Sequence, residues 1–316
     1  MRYPQIRAFT GEPGVIRLAG HRGARGVLPE NTMEGFEFTL NTGVKLLELD
    51  VTATRDGVVV ITHNHRLTRS MVRDAEGNWL QGEEPKVAAL TYAELQQYDA
   101  GGLDSSSAYG QRFPDQAFLS GVRIPRLADL LALLQRPQHQ DVHLFLEIKS
   151  DPDLLADTAA RQRLVETVVA DVRNAEMQPR TVLHSFDWDL LADCQRIAPE
   201  MPASFLTQLP ENDADVGEDS SKEVNPVAGC SVLDLPARVA TAKGQFWCPY
   251  YLDITADALV LARDLGLTTM VWTVNEPEDI DRMITLGVDV ICSDYPGRVQ
   301  RLLLKQGMHW LPAAER

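Results

Sequence analysis

The chain of 316 residues sets 45 Asp plus Glu against 30 Lys plus Arg, a formal net charge of −15 at pH 7. That balance argues against a nucleic-acid or anionic-membrane surface as partner, but not against a small anionic substrate, whose charge a metal ion and a few basic side chains can offset locally. A hydrophobic content of 44% suffices for one large barrel or two smaller domains, and none of the four cysteines stands at CxxC spacing, so neither a zinc site nor a disulfide framework is expected.

The opening stretch "MRYPQIRAFTGEPG" has no apolar core and no A-x-A cleavage site, and no transmembrane-length apolar run follows. The expectation is a cytoplasmic protein without a membrane span or stable membrane association. "VIRLAG" (15–20) reads as the first strand. A helix over 31–43 follows, capped near Asn31 or Thr32 and stopped by Gly43. "KLLELDVTAT" (45–54) is the second strand, turning through "RDG" into an extended "VVVITH" (58–63). Residues 64–124, with the Gly/Ser-rich "AGGLDSSSAYGQ" and the amphipathic "LTYAELQQYD", break the rhythm and read as an insertion near the mouth of the fold.

After a helix at "PRLADLLALL", the chain resumes regular alternation. The strands are "HLFLEIK" (143–149), "RTVLHSF" (180–186), "PASFLTQ" (202–208), "GQFWCP" (244–249), "TTMVWTVN" (268–275) and "VDVICSD" (288–294), with helical patterns between them. The acidic stretch 211–223 reads as a solvated loop, lacking the spacing of a calcium loop. About eight β–α units in ~300 residues favour a closed (β/α)8 barrel over an open doubly wound sheet, because no GxGxxG follows the first strand. The expectation is an α/β protein with one domain over 1–316, a TIM barrel with an insertion after the second strand.

Barrels gather function at the C-terminal ends of their strands. The first strand ends at His21 and Arg22. The second carries Glu48 and Asp50 two apart, hence on one face. The next ends in "LEIKS", which puts Glu147 and Lys149 on one face, and the extended piece ends at His63. Two carboxylates on one face repel unless a cation lies between them. All-oxygen ligation points to one hard divalent ion, Mg²⁺ or Ca²⁺, with Mn²⁺ admitted. Trp272, at the end of a later strand, could wall a pocket. Each residue alone has a bland reading: a structural histidine, an ion pair, a core indole. His184 is given one, with Ser185 or Asp187 as the helix cap that explains its stretch. His65, His139, His143 and His309 are treated likewise. Co-location at the first strand ends is what favours chemistry, and the set suits attack at phosphorus with one histidine taking a proton and the other giving one.

The motifs "GHRG" (20–23), "PENT" (29–32), "ELDVTATRDGVVVITH" (48–63), "IPRLADLL" (124–131), "LEIK" (146–149), "HSFDWDLL" (184–191), "VWTVN" (271–275) and "ICSDYP" (291–296) run nearly the length of the chain. In this combination the sequence resembles the glycerophosphodiester phosphodiesterase family, cytosolic bacterial type. The resemblance implies an enzyme that hydrolyses small-molecule glycerophosphodiesters to sn-glycerol 3-phosphate and an alcohol. It implies His21 and His63 as the acid/base pair and Glu48, Asp50 and Glu147 as metal ligands. Arg22 and Lys149 become phosphate contacts, Trp272 a wall of the glycerol pocket, and Glu30 and Asn31 residues that back the site or line its mouth. Asn64 stands where the family usually has Asp after the second histidine. The alternatives are a lysophospholipase D, a catalytically silent barrel that binds a glycerol phosphate-like ligand, and a metal-dependent barrel working on carbon acids; an intact histidine pair argues against the last two.

Overall fold

The first and last strands of the chain lie side by side. In the computed structural model, which describes residues 3–151, 157–210, 227 and 229–315, β1 (Arg17–Gly20) pairs in parallel with both β2 (Leu46–Ala53) and β9 (Val290–Ser293). Between them the order runs through β4 (His143–Ile148), β5 (Thr181–Ser185), β6 (Ala203–Thr207), β7 (Phe246–Pro249) and β8 (Thr268–Val271), every neighbour parallel. Among the described residues this closes an eight-stranded parallel barrel, the (β/α)8 architecture. A ninth strand, β3 (Val59–Ile61), folds back antiparallel on β2 through the turn at Arg55–Gly57. The acidic stretch 211–223 lies outside the described residues.

Alternation along β2 builds both sides of the wall. Leu47, Leu49 and Val51 join Phe36, Leu131, Leu146 and Val168 in a core between sheet and helices. Their neighbours face the barrel axis. The axis is filled by Ala19, Leu46, Phe145, Val182, Phe246, Met270 and Val290, and Phe9 plugs its N-terminal end, ring edge against Phe145 at 4.8 Å and Phe246 at 5.4 Å. That apolar plug leaves the opposite end for polar groups.

Helix α1 (Met33–Asn41) starts at Thr32, whose side chain accepts the Gly35 N–H at 3.1 Å, a cap worth about 1 kcal/mol. Gly23, at φ +86°, lets the loop after β1 pack on this helix; a Cβ there would sit 2.9 Å from the Gly35 carbonyl carbon. The close approach is therefore to α1. The segment between β3 and α4 (Leu127–Leu134) holds two short helices, α2 (Tyr92–Leu95) and α3 (Ala108–Arg112), and a small core of Val60, Leu67, Val72, Val87, Leu95 and Ile124. The remaining α-helices among the described residues are α5 (Thr158–Asn174), α6 (Trp188–Ile197), α7 (Leu235–Thr241), α8 (Ala256–Asp264), α9 (Pro277–Leu286) and α10 (Pro296–Lys305). No helix among the described residues is long and apolar enough to cross a membrane.

Candidate active site

Glu48, Asp50 and Glu147 meet inside the C-terminal end of the barrel. Each offers a carboxylate oxygen within 4.8 Å of the others, and all three are buried. Strand register explains the meeting: Asp50 pairs across β2 and β4 with Glu147. Burial, then the charge of Asp50, push the Glu48 carboxyl up to about 8. Burial also works against ionisation of Asp50, but Arg22, His63, Lys149 and a hydrogen bond from Asn31 overcome it and hold that carboxyl well below its ordinary range. Asn31 Nδ2 donates to Asp50 Oδ2 at 2.8 Å. A buried trio of hard oxygen donors, one of which cannot ionise readily beside its neighbour, fits a divalent cation.

The cationic side chains already contact these acids. Arg22 Nε lies 3.3 Å from Asp50 Oδ2, and its Nη1 donates to Glu30 Oε1 at 2.8 Å. Lys149 Nζ donates to Glu147 Oε1 at 2.9 Å and lies 3.7 Å from Asp50 Oδ1. Both cations are thus ion-paired to the carboxylates at this end of the barrel. Arg22 adopts φ +49° and Asn31 φ +55°, left-handed conformations that cost non-glycine residues about 1–3 kcal/mol. They are over-determined: the Arg22 N–H donates to Glu48 Oε2 at 3.1 Å, and its carbonyl accepts the Asn31 N–H at 3.0 Å.

His21 and His63 line one pocket with Arg22, Glu48, Glu147 and Trp272. Burial pushes His21 down to about 4, against the pull of Asp294, whose Oδ1 lies 2.7 Å from Nδ1; its Nε2 is 3.8 Å from Glu48 Oε2. His63 Nδ1 lies 2.9 Å from Asn64 Oδ1, so the residue standing in place of Asp still fixes the ring, without a charge. Trp272 follows β8, donates its indole N–H to the Cys248 carbonyl at 2.8 Å, and stands edge-on to Phe186 at 5.3 Å, an aromatic wall.

Sequence reasoning gave no role to Asp294, Arg25 or Tyr109. Asp294 takes a two-point pair from Arg25 (2.9 and 3.1 Å) and a hydrogen bond from Asn275 Nδ2 at 2.7 Å while it holds His21. The Tyr109 hydroxyl, on α3 of the insertion, bonds Glu30 and accepts from Arg25 Nη1 at 3.0 Å. One insertion side chain thus braces Arg22 through Glu30 and His21 through Arg25 and Asp294. Asp294 was findable by the strand-end rule, since it follows β9. Tyr109 carried no signal, because nothing local says which helix of an insertion reaches the barrel. Tyr109→Phe is expected to cost about 1–3 kcal/mol of stability and to lower kcat several-fold. Denaturant melts and steady-state kinetics check this; an unchanged midpoint with unchanged kcat would remove Tyr109 from the site.

A sequence model of the glycerophosphoryl diester phosphodiesterase family matches residues 21–298. The glycerophosphodiester phosphodiesterase of Caldanaerobacter subterraneus subsp. tengcongensis is 25% identical over 290 residues, covering 92% of this chain and 98% of its own. A crystal structure from Silicibacter pomeroyi DSS-3, named as a candidate glycerophosphoryl diester phosphodiesterase, is 53% identical with a TM-score of 0.88, covering 98% of this chain and 100% of its own. An Oleispira antarctica phosphodiesterase solved with sn-glycerol-3-phosphate shares the fold at a TM-score of 0.66 and 19% identity, over 92% and 97% of the two chains.

Proposed function

The chain belongs to the glycerophosphoryl diester phosphodiesterase family and is a phosphoric diester hydrolase of that family, and from this we propose that it cleaves glycerophosphodiesters to sn-glycerol 3-phosphate and an alcohol with His21 and His63 as acid and base. The observation that carries the mechanism is the convergence of both histidines, Arg22 and two of the three carboxylates on one pocket. The product held by the Oleispira protein, whose fold this chain shares, supports the glycerol phosphate side of the reaction.

Glu48, Asp50 and Glu147 would hold one divalent cation, Mg²⁺, Ca²⁺ or Mn²⁺. When bound, such a cation supplies charge stabilisation at a phosphoryl oxygen and lowers the pKa of a coordinated hydroxyl. Arg22 and Lys149 set positive charge beside that oxygen. One histidine takes the proton of the attacking oxygen and the other gives one to the leaving alkoxide, which is too basic to depart unaided. Asp294 and Asn64 meet the two rings at their Nδ1 atoms, contacts that fix how each imidazole is presented to the pocket. We also take residues 1–316 as one barrel domain with 64–124 as its insertion, a reading supported by the insertion's small apolar core against β3.

The test is an assay of purified protein on several glycerophosphodiesters with chelator, followed by separate addition of Mg²⁺, Ca²⁺ and Mn²⁺. Glycerol 3-phosphate should appear only after add-back; chelator-insensitive production would remove the metal from the mechanism.

A pH dependence follows from Glu48. With its carboxyl at about 8, the metal-free protein holds a proton there at neutral pH, and a cation must displace it. Cation affinity should therefore rise with pH from about 6 to about 8 and then level off. Calorimetric titration at pH 7 in two buffers of different ionisation enthalpy should show release of about one proton per cation. Zero proton release would contradict the assignment of Glu48 as a ligand.

A further inference from the structure

One more polar side chain lines the pocket and is not used by the mechanism. His184, on β5, shares the pocket with His21, His63, Glu48 and Glu147. Its position follows from register. Asp50 pairs with Glu147, Glu147 with His184, and His184 with Ser204, so the four form one row around adjacent strands β2, β4, β5 and β6. His184 is thus the next position after the carboxylates on the inner wall. It is not one of the buried acidic trio whose ligand atoms lie within 4.8 Å of one another.

The hydrogen bonds of His184 show which atom is available. Nδ1 lies 2.7 Å from Ser204 Oγ, and Ser204 Oγ lies 3.0 Å from Cys248 Sγ. Nε2 is the nitrogen left to face the pocket. Around it stand Phe186, Leu206, Met270 and Trp272, an apolar wall suited to a carbon chain. The Ser204–Cys248 pair can relay a proton position in either sense, so Nε2 either donates or accepts. A hydroxyl, which does both, satisfies it in either tautomer. A phosphoryl oxygen finds its charge partners at Arg22 and Lys149 instead. Of the two ends of a glycerophosphodiester, the glycerol end is constant while the alcohol varies. A side chain only 1% exposed, on the inner wall of the barrel, suits the constant end.

We propose that His184 is a specificity-determining residue that hydrogen-bonds a hydroxyl of the glycerol end of the substrate through Nε2. This rests on the phosphodiesterase reading above.

The experiment crosses enzyme variants with substrates that lack hydroxyls, using the metal-loaded full-length protein. The substrates are glycerophosphocholine, 3-hydroxypropyl phosphocholine and propyl phosphocholine. For the wild type, kcat/KM should fall at least about tenfold from the glyceryl to the propyl compound, because the buried ring nitrogen loses its partner. In His184→Phe that ratio should collapse toward one: the glyceryl substrate slows while the propyl substrate keeps its rate. His184→Gln, which retains a polar reach, should restore part of the ratio. An equal loss on all three substrates would mark His184 as structural and overturn the proposal, as would an unchanged ratio. If His184→Phe does not fold, Ser204→Ala releases Nδ1 alone and should move the ratio in the same direction. Calorimetry with sn-glycerol 3-phosphate and propyl phosphate gives a second readout that needs no turnover. A wild type that hydrolyses no diester would sink the phosphodiesterase reading, whereas the binding preference and its loss in the variant decide His184 separately.

Discussion

His21→Ala is expected to lower kcat by about 10²–10⁴ while the divalent cation still binds. The imidazole lies outside the carboxylate trio, with Nε2 3.8 Å from Glu48 Oε2, so on the proposed mechanism its removal subtracts a proton carrier and leaves the three proposed ligands in place. The ring is not held by packing alone. Asp294 fixes Nδ1 at 2.7 Å, and Asp294 is itself held by Arg25 and Asn275, so the position of Nε2 is set before substrate arrives. His63→Ala should lose a comparable factor, since the leaving alkoxide and the attacking oxygen each need a partner. Turnover measured beside a cation titration separates the two roles. Near-normal kcat in either variant would end the acid/base assignment, and loss of cation binding in His21→Ala would show that the histidine supports the metal instead.

The carboxylates should divide by what they do to the protein when no cation is bound. Any of Glu48→Gln, Asp50→Asn or Glu147→Gln is expected to weaken cation binding by more than about 100-fold, beyond the usual cost of losing a residue that merely supports a ligand. Stability of the metal-free protein should split the three. Glutamine at 48 mimics the protonated carboxyl that burial already imposes at neutral pH, so the melting temperature with chelator should hardly move. Glutamine at 147 removes the carboxylate 2.9 Å from Lys149, an ammonium that is 1% exposed, and breaking a buried pair costs about 3–5 kcal/mol. Asp50 remains 3.7 Å from Lys149 and softens that loss. Thermal melts in chelator at pH 7 test the contrast. Equal destabilisation by Glu48→Gln and Glu147→Gln would mean that Glu48 is ionised in the metal-free protein, contrary to the electrostatics of the site.

Much of this arrangement could be read along the chain because its cause is local. Alternation in "LLELDVTAT" assigns Glu48 and Asp50 to one face and Leu47, Leu49 and Val51 to the other, and the structure places them so. Recurring β–α units implied the barrel, since parallel strands require crossovers. Strand ends named His21, Glu147, Lys149 and Trp272 as neighbours of one mouth. Boundaries were less secure. "VIRLAG" predicts a strand from 15, whereas β1 begins at Arg17, and Val15 instead bridges Glu12 and His309.

Residue type, period and motif order were fixed by the sequence itself: which positions face inward, which strand ends carry charge, and which family the combination resembles. Tertiary structure decided who touches whom. Asp294 reaches His21 across 273 residues because β9 closes on β1, and that closure is a property of eight strands together. Tyr109 reaches Glu30 only because a long insertion folds back over the mouth. By sequence His184 is an ordinary structural histidine, whereas the register of β2, β4, β5 and β6 puts it in line with Asp50 and Glu147. Side-chain periodicity depends on one strand's own backbone, whereas register and closure depend on the packing of every strand against its neighbours.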